Sequence, residues 1–156
     1  MVYSLERLIY SLGMTVKKAL SELKNGKSIL VGGKEVVPEQ LEYLKLEDGE
    51  EVLWVRTEGN LWLSIDAVSD EVFFFQDLDE SLEDGEDSVL YNGSDYEFSS
   101  GGSGEMQDEE GEELDKVSFR DYESGSAVIR IVSYEVTGDH ISSVGHRVTE
   151  EELQAV

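Results

Sequence analysis

The chain has 156 residues, of which 36 are acidic and 12 are basic, so its formal charge is -24. This charge argues against nucleic-acid binding, because contact with phosphates requires clustered Lys and Arg. The chain has no cysteine, so it forms no disulfide or thiolate metal site. Its apolar runs are shorter than a membrane helix requires, and Met1–Arg7 lacks the pattern of a signal peptide. We expect a soluble, cytoplasmic protein.

The first 27 residues predict an amphipathic helix. Apolar side chains recur at helical spacing, and Asn25-Gly26 is a stop signal. Gly13 is a point at which the helix can divide in two. The apolar face has three alternative partners: the rest of the chain, a second copy in a homodimer through residues 1–27, or a membrane surface. The stripe comprises Leu5, Leu8, Ile9, Leu12, Val16, Ala19, Leu20 and Leu23.

Strand patterns begin after Lys27 and continue to Phe75. Gly32-Gly33 predicts a tight turn between two short strands. In the segment 51–57, Val52, Trp54 and Arg56 share one face and bulky residues occupy the other, so we expect a sheet that is covered on both sides. The predicted strands are Ser28–Val31, Lys34–Val37, Gln40–Glu47, Glu51–Thr57, Leu61–Asp66 and Val72–Phe75.

The second half of the chain continues the β pattern. Asn92-Gly93 predicts a hairpin, and Ser99–Gly104 is flexible by composition or forms a loop or bulge between strands. Thr149–Glu152 predicts a capped helical turn. We therefore predict a mainly β fold, an antiparallel barrel or sandwich, with a helical head at 1–27 and a β-rich domain at 28–156. The further strands are Val89–Tyr91, Tyr96–Phe98, Leu114–Tyr122, Ala127–Val136 and Ile141–Val148.

The acidic residues are concentrated in one region. Between Asp77 and Glu123 the chain has 18 acidic residues and two basic ones. The favoured interpretation is a solvated surface whose repulsion keeps molecules apart; the alternative is a face that attracts polyamines, divalent ions or a basic protein segment. EF-hand spacing fails at both Glu80–Tyr91 and Met106–Val117.

The sequence offers no recognisable catalytic constellation. His140 and His146 are six residues apart, about 20 Å along a strand, which is too far for one metal ion. Gly32-Gly33-Lys34 precedes no helix, so it does not predict a phosphate-binding loop. We predict no catalytic residue, no metal and no cofactor.

Five residues are candidates for ligand binding in an aromatic-lined interior. Asp121 and Glu135 are carboxylates in aromatic strand contexts, which predicts that they are buried. A structural salt bridge to Arg120, Arg130 or Arg147 is the favoured interpretation of both. A role in the core is likewise favoured for the aromatic candidates. The five candidates are Trp54, Trp62, Asp121, Tyr122 and Glu135.

From residue 28 to residue 152 the order of motifs resembles the domain-of-unknown-function family 4178, a β-rich domain of bacteria and archaea. The chain has Val55-Arg56-Thr57 where family members often have an aromatic residue or Glu, and its helical head lies outside the resemblance. The matching segments are Gly33–Val37, Trp54 with Gly59–Leu63, Gly93–Phe98, Gly111-Glu112, Phe119–Tyr122, Ile129–Glu135 and Gly145–Val148.

The resemblance implies a non-enzymatic module encoded near polyamine-type metabolism and envelope-associated modification systems. We therefore expect a binding or scaffold module with a protein partner. The alternative is a small-molecule or cation binder, or a weak enzyme, that uses an aromatic-lined barrel cavity with Asp121 or Glu135 as its charged group. A third hypothesis is an assembly protein that dimerises through its head.

Overall fold

The computed structural model describes residues 13–156, which form one α-helix, twelve strands and a 3-10 turn at Glu150–Glu152. The helix α1 is Val16–Lys24, and the strands are β1 Ile29–Val31, β2 Lys34–Val36, β3 Gln40–Leu46, β4 Glu51–Arg56, β5 Leu61–Asp66, β6 Glu71–Asp77, β7 Ser88–Tyr91, β8 Ser94–Gln107, β9 Glu113–Ser124, β10 Ala127–Tyr134, β11 His140–Val148 and β12 Leu153–Ala155.

Eight of these strands form a closed antiparallel barrel. Their order is β3, β4, β5, β6, β11, β10, β9, β8, and β8 pairs with β3 to complete the circle. The remaining strands lie outside the barrel: β7 pairs with the beginning of β8, and β1, β2 and β12 form a separate small sheet. The predicted mainly β fold is confirmed, and of the two architectures it is the barrel.

The glycine-rich segment Ser99–Gly104 is part of a strand. The prediction of a flexible segment is wrong, although β8 does contain a bulge between Phe98 and Ser100. A Cβ added at Gly104 would overlap the carbonyl oxygen of Lys45 on β3, so the missing side chain allows the closing strands to approach. Gly101 and Gly104 are therefore required by close backbone contact, and a Cβ at Gly102 would meet the ring of Phe119.

The barrel wall separates an apolar interior from two covered outer patches. Because successive side chains point to opposite faces of a strand, the strands of the barrel have side chains on its inside and on its outside. One outer patch lies beneath α1 and the small sheet, and the other includes residues of β7 and of the segment before it. The interior cluster comprises Leu44, Val52, Trp54, Trp62, Phe73, Phe75, Met106, Val117, Val128 and Val132.

The described part of the helical head packs on the barrel. Lys18 N donates a hydrogen bond to Thr15 Oγ1 over 3.1 Å, which caps α1. Val16, Ala19 and Leu23 are buried against the outer wall. In residues 13–156 no helix has the length and apolar character to cross a membrane. The predicted stripe residues Leu5, Leu8, Ile9 and Leu12 lie outside the described residues, and the homodimer stays a prediction.

Two local predictions are confirmed and one strand was missed. Asn92 and Gly93 have φ of 52° and 81°, as a type I′ hairpin requires. Glu152 Oε1 accepts a hydrogen bond from Thr149 N over 3.1 Å, which confirms the capped turn. Three residues after that turn form β12, which pairs with β1. The strands β1 and β2 are equally short, but the Gly32-Gly33 turn between them predicts them, whereas no turn residue separates β12 from the 3-10 turn before it.

Candidate ligand cavity in the barrel

The barrel contains a cavity of about 310 Å³ near one end. Side chains at its floor are almost fully buried, whereas those at its mouth reach solvent: Arg130 has 5% of its side chain exposed and Arg147 has 50%. The cavity is lined by Leu46, Val52, Ser64, Asp66, Glu71, Phe73, Ser99, Ser100, Gly101, Phe119, Asp121, Glu123, Arg130 and Arg147.

The cavity floor is a buried ion pair. Arg130 on β10 lies opposite Asp121 on β9 in the strand register. Its Nε donates to Asp121 Oδ1 over 2.8 Å and its Nη2 donates to Asp121 Oδ2 over 2.9 Å. Its Nη1 donates to Ser64 Oγ over 2.8 Å. This two-point geometry is the one in which Arg and a carboxylate pair most strongly, so the floor is rigid and electrically balanced.

Aromatic rings surround the Arg130 guanidinium. Its Cζ lies 4.6 Å from the ring centroid of Phe119 and 4.9 Å from that of Phe75. The Phe73, Trp54 and Trp62 centroids follow at 5.5, 5.6 and 5.8 Å. These distances are in the range of cation–π attraction, which helps to hold a charge away from water.

Several donors in this layer have no protein acceptor. A guanidinium has five N–H groups, and Arg130 directs three of them to Asp121 and Ser64. Among the described residues, Trp54 Nε1 is buried without any hydrogen-bond partner. Buried donors are almost always paired with protein, water or ligand. The interior therefore has unmet capacity to donate hydrogen bonds.

The mouth of the cavity is acidic. Arg147 Nη1 donates to Glu71 Oε2 over 2.6 Å, and its Nη2 lies 3.4 Å from Glu123 Oε1. Asp66 also lines the mouth. A hydrogen bond between the carboxyl groups of Glu50 and Asp66 raises the pKa of Glu50 to about 7, with burial and the charges of Asp66, Asp48 and Glu71 adding to the shift. Several carboxylates therefore lie close together at the mouth.

This carboxyl pair predicts a pH dependence. Because the pKa of Glu50 is higher in the folded protein than its ordinary value of 4.5, its stabilising contribution is complete below about pH 4.5 and is lost as the pH rises through 7. Glu50→Gln imitates the protonated side chain. We expect the variant to unfold at higher urea concentration than wild type at pH 8 and at the same concentration near pH 4.5.

The control for this prediction is Glu47→Gln. Glu47 is exposed and lies in the same β3–β4 connection as Glu50, at its other end. This variant alters the net charge equally but removes no carboxyl pair. If Glu47→Gln gives the same gain at pH 8, general charge repulsion explains the effect and the pairing of Glu50 with Asp66 does not.

Hydrogen bonds link polar side chains at the opposite end of the barrel. Arg56 Nη1 donates to Asp77 Oδ2 over 2.8 Å, and Trp62 Nε1 donates to Asp77 Oδ1 over 2.9 Å. Ser143 Oγ also donates to Asp77 Oδ1, over 2.6 Å. Burial raises the pKa of Tyr134, on β10, to about 12. None of these residues lines the cavity, which lies toward the acidic end.

The structure brings three of the five predicted residues together. Trp54, Trp62 and Asp121 surround Arg130 in the barrel interior. Tyr122 follows Asp121 and therefore faces outward, where its hydroxyl donates to the Gly85 carbonyl over 2.6 Å.

Glu135 lies apart from the other predicted residues. It follows the end of β10 and is exposed, so the prediction that it is buried is wrong. Sequence reasoning left Arg130 as one of three possible partners and missed Ser64, Phe73 and Phe119. The available signal was alternation in the segment 127–134, which places Arg130 on one face with Val128 and Val132.

The two histidines have separate surroundings. His140 Nδ1 lies 2.9 Å from Ser133 Oγ at the beginning of β11. His146 lies near the other end of that strand, with Nε2 3.9 Å from Glu152 Oε2. The structure does not bring the two imidazoles to one site.

A larger depression, of about 840 Å³, lies on the outside of the barrel. Its lining includes a row of polar residues across four neighbouring strands. A second row, of alternating charge, is formed by Lys45, Glu105, Lys116 and Glu135. The first row is Ser103, Ser118, Ser133 and His140. Unlike the interior cavity, this depression has no buried charged group among its lining residues.

The acidic turn between β8 and β9 brings three carboxylates together. The ligand atoms of Asp108, Glu110 and Glu112 lie within 4.8 Å of one another. Asp108 Oδ1 accepts hydrogen bonds from the backbone N of Glu110 and of Glu112, each over 2.9 Å. These bonds account for the turn itself.

Comparison of the chain with protein-family models, with curated proteins and with solved structures found no match. The resemblance to family 4178 therefore stays a prediction from the motifs.

Proposed function

We propose that this protein is a non-catalytic binding module that holds a small organic cation in its barrel cavity. One observation carries the proposal: four carboxylates but only two guanidinium groups line the cavity. Arg130 balances Asp121 at the floor, so the excess negative charge lies at the mouth. A cation would relieve the repulsion among Asp66, Glu71 and Glu123.

The size and lining of the cavity fit this chemistry. A volume of about 310 Å³ is at the lower end of the range for small-molecule sites. Phe73 and Phe119 line it and give it apolar surface against which a methylene chain can pack. Alkyl amines and polyamines combine a positive group with a narrow apolar stem. They are therefore the ligand class that we favour.

The proposed role includes no reaction. Asp121 directs both oxygens to Arg130, which leaves it poorly placed as a general base. No histidine, cysteine or lysine is among the cavity-lining residues of the described chain. In this proposal the module acts beside a protein partner, in a polyamine-type or envelope-associated modification system of the kind that the family resemblance implies.

Calorimetric titration with putrescine tests the proposal. We expect saturable binding of one equivalent, which weakens as sodium chloride is added because the mouth is partly exposed. We also expect putrescine to raise the melting temperature of the protein. Magnesium and sodium at matched ionic strength should not reproduce this rise. A response that follows ionic strength alone would refute a specific cation site.

The variant Glu71→Gln with Glu123→Gln tests the location of the site. We expect its putrescine affinity to fall about 5-fold, since partly exposed charge pairs contribute modestly. The matched control is Glu105→Gln with Glu135→Gln, which removes the same charge from exposed positions on the outside of the barrel. An equal loss of affinity in both variants would contradict a site in the barrel.

A further inference from the structure

The guanidinium of Arg130, at the cavity floor, indicates which chemical group a ligand would place there. Arg130 is 4% exposed, and two of its five N–H groups have no acceptor among the described residues. The residue lines the cavity, so an oxygen atom that reaches the floor meets the guanidinium. Each of the three guanidinium nitrogens already donates one hydrogen bond, and the two remaining N–H groups are left to donate to an acceptor from outside the protein, either water or a ligand.

The charge of the floor limits which acceptor fits. Asp121 already neutralises Arg130 through two hydrogen bonds, so a ligand carboxylate or phosphate would add an unbalanced negative charge in a buried place. That charge would also lie inside a cavity with an excess of carboxylates. A neutral oxygen, such as an amide carbonyl or a hydroxyl, accepts the hydrogen bond without this cost.

The two ends of the cavity therefore require different groups. We propose that the ligand is a bifunctional amine, with an ammonium group at the acidic mouth and a neutral hydrogen-bond acceptor at Arg130. This inference rests on the proposed function and narrows its ligand class from amines in general to amino amides and amino alcohols. The aromatic walls, Phe73 and Phe119, contact the alkyl stem between the two groups.

Three probes of matched length separate the contributions of the two ends. N-acetylputrescine has both groups, heptylamine replaces its amide with methylenes, and N-pentylacetamide replaces its ammonium with a methyl group. We expect calorimetry to show that N-acetylputrescine binds about 10-fold more tightly than either of the others. Heptylamine lacks the hydrogen bond to the charged guanidinium, which is one of the stronger kinds, and N-pentylacetamide lacks the ammonium group at the acidic mouth. A fourth probe, 6-aminohexanoate, should bind more weakly than N-acetylputrescine because its acceptor is charged.

The outcomes distinguish this inference from the proposed function. If heptylamine binds as tightly as N-acetylputrescine, or if 6-aminohexanoate binds more tightly, the neutral acceptor is refuted and cation binding stands. If none of the amines binds saturably, or if N-pentylacetamide binds as tightly as the amines, the proposed function itself is refuted.

The variant Arg130→Lys provides a second readout at the cavity floor. Lysine keeps the positive charge beside Asp121 but lacks the planar group of donors. We expect the affinity for N-acetylputrescine to fall by a larger factor than the affinity for heptylamine, which offers no acceptor to the floor. Equal losses for both ligands would refute a contact between the amide and residue 130. If the variant does not fold, the probe series on the wild-type protein decides the matter.

Discussion

Replacing Arg130 with methionine is expected to lower the free energy of unfolding by about 3–5 kcal/mol, because it leaves the Asp121 carboxylate buried without its partner. Only 5% of each side chain is exposed, so water in the cavity replaces only a small part of the lost contacts. Urea denaturation followed by tryptophan fluorescence measures the change. Trp54 and Trp62 surround the substituted position and report on it directly.

Two further variants make this expectation specific. Arg130→Met with Asp121→Leu removes both charges, and we expect it to recover most of the lost stability, because apolar replacement of a buried ion pair is often neutral. Arg147→Met removes a half-exposed guanidinium and should cost about 1 kcal/mol or less. If Arg130→Met and Arg147→Met lower the free energy of unfolding equally, water solvates Asp121 in the variant. That result would contradict the burial of Asp121 in the barrel.

Replacing Gly104 with alanine is expected to cost about 3 kcal/mol and to loosen the seam between β3 and β8. The added Cβ overlaps the Lys45 carbonyl, which is backbone and cannot move aside as a side chain can. The pairs Leu44 with Met106 and Leu46 with Gly104 close the barrel at this point. Amide hydrogen exchange should therefore accelerate along β3 before it does so along β10.

The neighbouring variant Ser103→Ala is the control for this prediction. Ser103 lines the outer depression, and its replacement should change the free energy of unfolding by no more than about 0.5 kcal/mol. If Gly104→Ala is as well tolerated as Ser103→Ala, the β3–β8 seam does not depend on close approach. The glycine content of β8 would then need another explanation.

The strands were predictable because they depend on local signals. Alternating apolar residues and turn residues such as Asn92-Gly93 act within a few positions of one another, so they survive in a single sequence. The segment Ser99–Gly104 misled the prediction, since glycine serves flexible linkers and crowded strands alike. Only the neighbouring β3 and β9 backbones distinguish the two cases.

The candidate site was predictable in part. Trp54 and Trp62 follow from alternation along their strands, and Asp121 from its aromatic neighbours. Its partner could not be chosen, because Arg120, Arg130 and Arg147 were equally available in sequence and only the register of β9 with β10 selects Arg130. Glu135 had the same kind of neighbours as Asp121, but it lies past the end of β10 and is exposed.

The strongly acidic composition, the mainly β fold and the capped terminal turn were determined by the sequence alone, since each depends on residue type or on short-range spacing. Closure of the barrel and the separation of an acidic mouth from a balanced floor were decided by tertiary structure. The reason is physical: a cavity is made by residues from strands that are far apart in sequence, and its charge depends on which side chains meet there.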